Sequence, residues 1–279
     1  MSGSLVIVAT PIGNLGDLTP RALETLQSAN VVYCEDTRRT RTLYSAHGLK
    51  VAHLVALHEH NEMSQIGEII DCITRGETVA LVSDAGTPGI SDPGSRVVAA
   101  VVEAGLTVTT TPGVSAVIAA LGISGLPTDR FVMEGFVPRK GSDRAAWLNA
   151  WDSEQRTIVF YESPKRIAAT MNELAGRWPN RSVAIVRELT KLHEEVLRGT
   201  AAELSTSLAK SDLQGEITVV MAGSPAPAPV SEAVVLDAID DALADGATVR
   251  DVATHVSAAL GVPHRYVYEL ALQRRTAKP

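Results

Sequence analysis

Two glycine- and proline-rich stretches constrain this chain more than any other feature. Each directly follows an apolar run: Val8-Ala-Thr-Pro-Ile-Gly-Asn-Leu-Gly16 and Ser83-Asp-Ala-Gly-Thr-Pro-Gly-Ile-Ser-Asp-Pro-Gly94. In both, side-chain bulk gives way to Gly, Pro and small hydroxyls, so backbone atoms can approach a ligand closely. A parallel sheet binds small molecules outside the carboxyl ends of its strands. Two such loops off one sheet therefore predict one shared pocket.

The surrounding pattern supplies that sheet. Residues 5–10 read as a buried strand, and Thr19 and Pro20 as the N-cap and first position of a helix, with Leu18 and Leu23 spaced for a hydrophobic staple. Strands at Val31–Cys34, 55–57, Thr78–Val82 and 108–111 alternate with helical spacing at 38–47, 66–73 and 97–103. Such alternation predicts a mostly parallel sheet with helices on both faces. A second α/β alternation follows Pro112-Gly-Val-Ser-Ala116: a small-residue helix at 117–121, strands at Phe131–Phe136, 158–161 and 183–186, and a helix at 166–174. Runs 196–199 and Ile217–Met221 read as a strand pair, which would make this second sheet mixed. Residues 223–230, with three prolines and no periodicity, read as a linker. Beyond it, Glu232–Ala244 predicts an acidic amphipathic helix, and Thr248 caps a further helix that Gly261-Val-Pro263 breaks before another, an arrangement with helix-turn-helix spacing. His264, Arg265, Arg274, Arg275 and Lys278 make this end basic. The expected division is 1–112, 113–223 and 231–279.

Bulk properties exclude some classes. No apolar run reaches the ~20 residues of a membrane span, and the first residues lack the basic-then-apolar pattern of a secretory signal. Cys34 and Cys72 have no metal-ligand spacing and fit a reducing compartment, so a cytoplasmic location is the expectation. A net charge of −7 argues against a uniformly basic nucleic-acid binder but leaves local basic patches open. Gly13, Gly16 and Glu35 stand roughly where a dinucleotide fold wants them, yet the full Gly-x-Gly-x-x-Gly spacing is absent and Pro11 occupies the turn. No Walker lysine follows either loop. His58-Glu-His60 would share one face of a strand, but no third ligand is evident, and no metal is expected. Asp84 either accepts hydrogen bonds from a ligand or caps the following helix.

Seven stretches occur together and in order: Val8-Ala-Thr-Pro-Ile-Gly-Asn-Leu-Gly-Asp-Leu-Thr19, Glu35-Asp-Thr-Arg-Arg39, the loop 83–94, Pro112-Gly-Val-Ser-Ala116, Phe160-Tyr-Glu-Ser-Pro164, Arg187-Glu-Leu-Thr-Lys191 and Gly215-Glu-Ile217. Through them, residues 5 to 222 resemble the ribosomal RNA small-subunit methyltransferase I family. The resemblance implies an α/β fold of the tetrapyrrole-methylase type. Two α/β domains would hold S-adenosylmethionine in a cleft between them, with a small C-terminal helical domain appended. It implies 2′-O-methylation of a cytidine in the decoding region of 16S rRNA, in free rRNA or the small ribosomal subunit, by a homodimer. Carried over by position, it implies donor contacts from Pro11, Gly13, Ser83, Asp84, Ala85 and Gly86, and a pocket wall from Ser115 and Ala116. Ser83-Asp-Ala stands where the wider fold has Gly-Asp-Pro. Tyr161 and Glu162 fall at a strand end facing the cleft, as pocket residues or as a packed aromatic and a solvated carboxylate.

A ribose hydroxyl is a poor nucleophile, so a base or polarising cation would help. Glu35, Asp36, Glu162, Lys165 and Glu188 are candidates by their places near strand ends, each with a salt-bridge role as the alternative. RNA contact is expected from Arg38, Arg39 and Arg41, from Arg139, Lys140 and Arg144 around a Gly-Ser loop, and from Lys165 and Arg166. The C-terminal helices add to that contact or pack as a plain appendage. Two rival functions remain: a tetrapyrrole-type C-methyltransferase using the same cleft, and a ligand-sensing helix-turn-helix DNA-binding regulator.

Overall fold

The structure, a computed structural model, describes residues 3–50, 53–209, 213–225 and 230–277. Four residues of the expected linker (226–229) and Lys278 of the basic end lie outside the described residues. The chain forms two compact units, residues 1–224 and 225–279.

The larger unit contains two five-stranded sheets. The first is built from β1 (Ser4–Val8), β2 (Val31–Cys34), β3 (His53–Ala56), β4 (Thr78–Val82) and β5 (Thr107–Thr111), in the order β3-β2-β4-β1-β5. All its pairings are parallel. Its helices are α1 (Pro20–Ser28), α2 (Thr37–Ala46), α3 (Glu62–Thr74) and α4 (Ser95–Glu103). Side chains alternate across a strand. Val6, Val8, Val32, Cys34, Ala80 and Val82 thus bury against α1 and α2. Leu5, Val31, Tyr33, Val79 and Leu81 bury against α3 and α4. Being covered on both faces explains why these strands read as continuous apolar runs. Thr19 caps α1 through its side chain, with Pro20 at the first position, as the sequence predicts.

The second sheet comprises β6 (Phe131–Phe136), β7 (Thr157–Glu162), β8 (Ser182–Arg187), β9 (Glu195–Thr200) and β10 (Ile217–Met221), in the order β6-β7-β10-β8-β9. It is mixed, as expected, but the predicted partnership of β9 with β10 is wrong. β9 pairs antiparallel with β8, and β10 lies antiparallel between β7 and β8. The reason is burial: Ile217–Met221 is buried along its whole length and takes the centre, whereas Glu195–Thr200 is half-exposed and takes the edge. One face packs α6 (Ser142–Ala150), α7 (Ile167–Arg177) and α8 (Ala201–Leu208) over Phe160, Trp147 and Trp151. The other is covered by the small-residue helix α5 (Ala116–Ser124). The Gly-Ser loop expected near Arg144 is the start of α6, with Gly141 as its N-cap.

The C-terminal unit is a three-helix cluster: α9 (Glu232–Ala244), α10 (Val249–Leu260) and α11 (His264–Ala277), packed through Val235, Ile239, Val252, Val256 and Val267. Thr248 caps α10, and Gly261 ends it in the left-handed conformation. No helix among the described residues is long and apolar enough to cross a membrane.

Candidate active site

The carboxyl ends of β1, β2 and β4 deliver residues 9–13, 35–39 and 83–94 to one edge of the first sheet. The two glycine/proline loops are tied together there. Thr10 N–H donates to Gly86 O at 2.9 Å and Gly86 N–H to Thr10 O at 3.0 Å. Thr10 Oγ1–H donates to Ser83 O at 3.1 Å. Gly86 has φ +82°, a conformation that favours glycine. Far along the loop, the buried Glu62 carboxylate accepts from the N–H groups of Gly94, Arg96 and Val97 at 3.0, 3.2 and 3.4 Å. It thereby caps α4 from a neighbouring helix. Asp84, read from sequence as ligand contact or helix cap, is not that cap. Its Oδ1 accepts from Asp36 N–H at 3.1 Å, and Oδ2 lies 3.5 Å from the Arg39 guanidinium.

The second sheet brings the ends of β7 and β8 and the start of β10 to the same cleft. Glu162 is not a solvated carboxylate. Its side chain is fully buried, accepts from Ser163 N–H and Thr170 Oγ1–H at 2.7 Å each, and pairs with Arg166 at 2.6 Å. Arg166 also donates to Val137 O at 3.2 Å, so it is drawn inward rather than presented to a polyanion. Glu188 pairs with Lys191 at 2.9 Å and accepts from Glu216 N–H at 3.0 Å, while Lys191 reaches Glu216 at 3.0 Å. Gly215 takes φ +88°, a conformation that favours glycine, and a Cβ there would displace the Glu188 carboxyl from its present place. Three non-glycine residues among those described have positive φ: Ser91, Glu188 and Thr190. All three lie in loops that border the cleft, where backbone strain is commonly stored.

A cavity of about 440 Å³ opens between the sheets, walled by Asp84, Ala85, Gly86, Ser115, Ala116 and Tyr161. A second, of about 430 Å³, is walled by Pro11, Gly13, Ser83 and Lys191 and shares Ile12, Arg39, Asp84, Ala85 and Glu216 with the first. Every residue assigned to the donor by resemblance, Glu162 included, thus lies on one of these two adjoining walls.

The charges in this cleft are unequal. Burial, then the neighbouring Glu35 and Asp84 carboxylates, push Asp92 up to about 6. Burial, then Asp92 and Glu216, push the Tyr161 hydroxyl up to about 12. Asp36 caps α2 and is held down to about 2 by its hydrogen bonds from Arg38. Lys191 is lowered by burial, but its bonds to Glu188 and Glu216 outweigh that and leave its ammonium raised. The Lys191 ammonium in turn lowers Glu188.

Of the five proposed bases, Glu35 lines the cavity; Glu162 and Glu188 are held by cations, Asp36 caps a helix, and Lys165 is exposed. Arg38, Arg39, Arg41, Arg139 and Lys140 are all exposed, and Arg39 also forms part of the cleft wall. Arg144 is tied to Glu173, Thr170 and Pro138 O. His58 and His60 do not sit on a strand: β3 ends at Ala56, and the two rings meet edge-on in the turn beyond it. Among the described residues no group of three or more His, Cys, Asp or Glu is placed to hold a metal ion. The sequence does not single out Asp92, Lys191, Glu216 or Phe136. The first three stand inside quoted motifs, but nothing local distinguishes them from their neighbours.

A sequence profile of the tetrapyrrole (corrin/porphyrin) methylases matches residues 4–205. The ribosomal RNA small subunit methyltransferase I of Mycobacterium tuberculosis (strain CDC 1551 / Oshkosh) is 46% identical over 277 residues, 98% of this chain and 96% of that protein. The chain belongs to the ribosomal RNA small subunit methyltransferase I family. A Thermotoga maritima member of the same name is 43% identical over 221 residues, covering 79% of this chain and 99% of that one. The stretch left unmatched is about as long as the C-terminal unit. In fold, the chain is similar to uroporphyrin-III C-methyltransferase from Thermus thermophilus, solved as a complex with S-adenyl homocysteine. That match has a TM-score of 0.53 at 20% identity, covering 78% of this chain and 96% of that one.

Proposed function

We propose that this family member transfers a methyl group from S-adenosylmethionine to the 2′-hydroxyl of a cytidine in the decoding region of 16S rRNA. The observation that carries the reading is the convergence of both glycine/proline loops and the second sheet's edge on one cleft rich in carboxylates. The residues present fit that donor. Glu35, Asp84, Asp92 and Glu216 suit a molecule bearing a sulfonium and an ammonium group. Ile12, Val186, Leu189 and Ile217 offer apolar surface to a purine. Small residues let the loops behind the cavity pack closely: a Cβ on Gly113 would stand 3.0 Å from the Ala9 Cβ.

When bound, the donor supplies an activated methyl group, whose displacement depends mainly on in-line alignment. Alignment is what the tied loops provide. The Thr10–Gly86 bridge and the Glu62 cap fix the first wall, and the Glu188–Lys191–Glu216 set fixes the second. Among the carboxylates we assign to Asp92 the role of accepting the hydroxyl proton, because it is half-buried and raised toward neutrality, where a general base works best. Arg38, Arg139, Lys140 and Lys165, exposed near the cleft, are placed to meet phosphates.

A second copy of the chain as partner is part of this reading. Exposed Val102 and Ile118 on α4 and α5 support it, and light scattering measures it. Small ribosomal subunits from cells lacking this gene, incubated with the protein and S-adenosylmethionine, are expected to acquire one 2′-O-methylcytidine in the decoding region. Mapping by mass spectrometry tests this; a mark on a tetrapyrrole precursor and none on rRNA would reverse it.

A further inference from the structure

Phe136 stands out because the fold spends structure on exposing it. It is 63% exposed, yet it belongs to a strand whose neighbour β7 is buried. Its ring centroid lies 5.1 Å from that of Tyr161, tilted at 49°, and both rings line the cavity between the sheets. The local cause is a bulge. In the β6–β7 ladder Met133 pairs with Val159, but the next recorded partners are Phe136 and Tyr161, so β6 carries one extra residue. Gly135 at φ +67° makes that possible. With unbroken register Phe136 would fall on the face of Phe160, among Trp147 and Trp151. The bulge moves it to the opposite face, beside Tyr161, at the cleft. Bulges re-aim side chains next to active sites in this way.

The opposite wall is close. A Cβ placed on Gly135 would stand 3.7 Å from Ser91 Oγ, and the adjacent Ile90 is 50% exposed and lines the same cavity. Exposed cations lie close by in the chain: Arg139 and Lys140 follow Phe136 by three and four residues, and Lys165 follows Tyr161 by four. An exposed aromatic face binds an unstacked nucleobase, and cations on neighbouring segments suit its phosphates.

We infer that Phe136, backed by Tyr161, is the stacking platform for the base of the target nucleotide. The inference rests on the rRNA reading above and adds a base subsite to it. The test uses unmethylated small ribosomal subunits and S-adenosylmethionine. Phe136→Ala is expected to raise KM for the subunit about tenfold or more, the scale of lost base–aromatic stacking. It should leave S-adenosylmethionine affinity, measured by calorimetry, unchanged. Phe136→Trp is expected to restore KM, and its added indole fluorescence to be quenched by a single-stranded RNA of the decoding-region sequence. An active wild type matched by Phe136→Ala overturns the inference, as does a Phe136→Ala variant whose donor affinity falls as its KM rises. A wild type that leaves subunits unmethylated overturns the rRNA reading itself and this subsite with it.

Discussion

The two sheets build their halves of the cleft by different rules. In the first, all strands run parallel, so every carboxyl end lies at one edge and the loops after β1, β2 and β4 meet there. In the second, β10 runs against β7 and β8, and Ile217 lies opposite both Glu162 and Arg187. Gly215 and Glu216 therefore enter the site from the amino end of a strand. The strand-end rule finds the whole of a parallel sheet's site but only part of a mixed one.

The halves also differ in how they hold charge. The first sheet crowds Asp92 against Glu35 and Asp84, and its ion pairs, Asp36 with Arg38 and Asp84 with Arg39, involve exposed arginines, whereas the second holds Glu162 and Glu188 with the part-buried cations Arg166 and Lys191. The largest expected effect tests this pairing. Glu162→Ala leaves the Arg166 guanidinium without its buried partner and takes the acceptor from the Thr170 hydroxyl, while Arg166 keeps its bonds to Val137 O, so stability is expected to fall by about 2–3 kcal/mol. Urea unfolding measures it, and an unshifted midpoint would mean that the second sheet's carboxylates are as loosely held as the first's.

Next in size is Asp92→Asn, expected to lower kcat at neutral pH about a hundredfold and to abolish the rise of wild-type rate as pH passes through about 6. Stability changes in the opposite sense. Because the folded pKa is raised above the ordinary value near 4, the folded state holds this proton more tightly. The group's favourable contribution is present in acid and is lost as pH rises from about 4 to about 6. Relative to wild type, the Asn variant should therefore gain stability across that window. A constant difference in unfolding free energy at pH 4 and pH 7 would remove Asp92 from the crowded set.

The smallest effect separates neighbours within α2. The Arg38 side chain is exposed and pairs only with Asp36 among the contacts described, while Arg39 faces Asp84 in the cleft wall. Arg38→Glu is expected to weaken rRNA binding severalfold in a salt-dependent manner and to spare donor affinity. Arg39→Glu should reduce both. Equal behaviour of the two variants in filter-binding and calorimetry would show that the first sheet does not divide donor from RNA contacts.

Strands β2, β4, β6 and β10 and helix α9 match the ranges read from sequence, because their apolar runs, caps and breakers are local signals. Helix α8 is missing from that reading, although Thr200 and Glu203 form a capping box at its start. The donor residues are legible through motifs rather than through any single residue's chemistry. What stays illegible is partnership. No spacing rule links Glu62 to the N–H groups of Gly94 and Val97, and although Glu162 and Arg166 are four residues apart, they lie on a strand end and a helix cap, where the helical i,i+4 rule does not apply. The mispairing of β9 with β10 has the same origin, since register depends on which strand is buried most completely.

The sequence alone determined the alternation of strands and helices, the two loops freed of bulk, and the family. These are properties of short windows: periodicity, capping and backbone permissiveness act over a few residues. Only the tertiary structure decided which carboxylates are neutralised and which are crowded, and that a one-residue bulge at Gly135 turns Phe136 from the core to the cleft. Electrostatic environment and strand register arise from residues far apart in the chain, and they take definite values only once folding sets the distances between them.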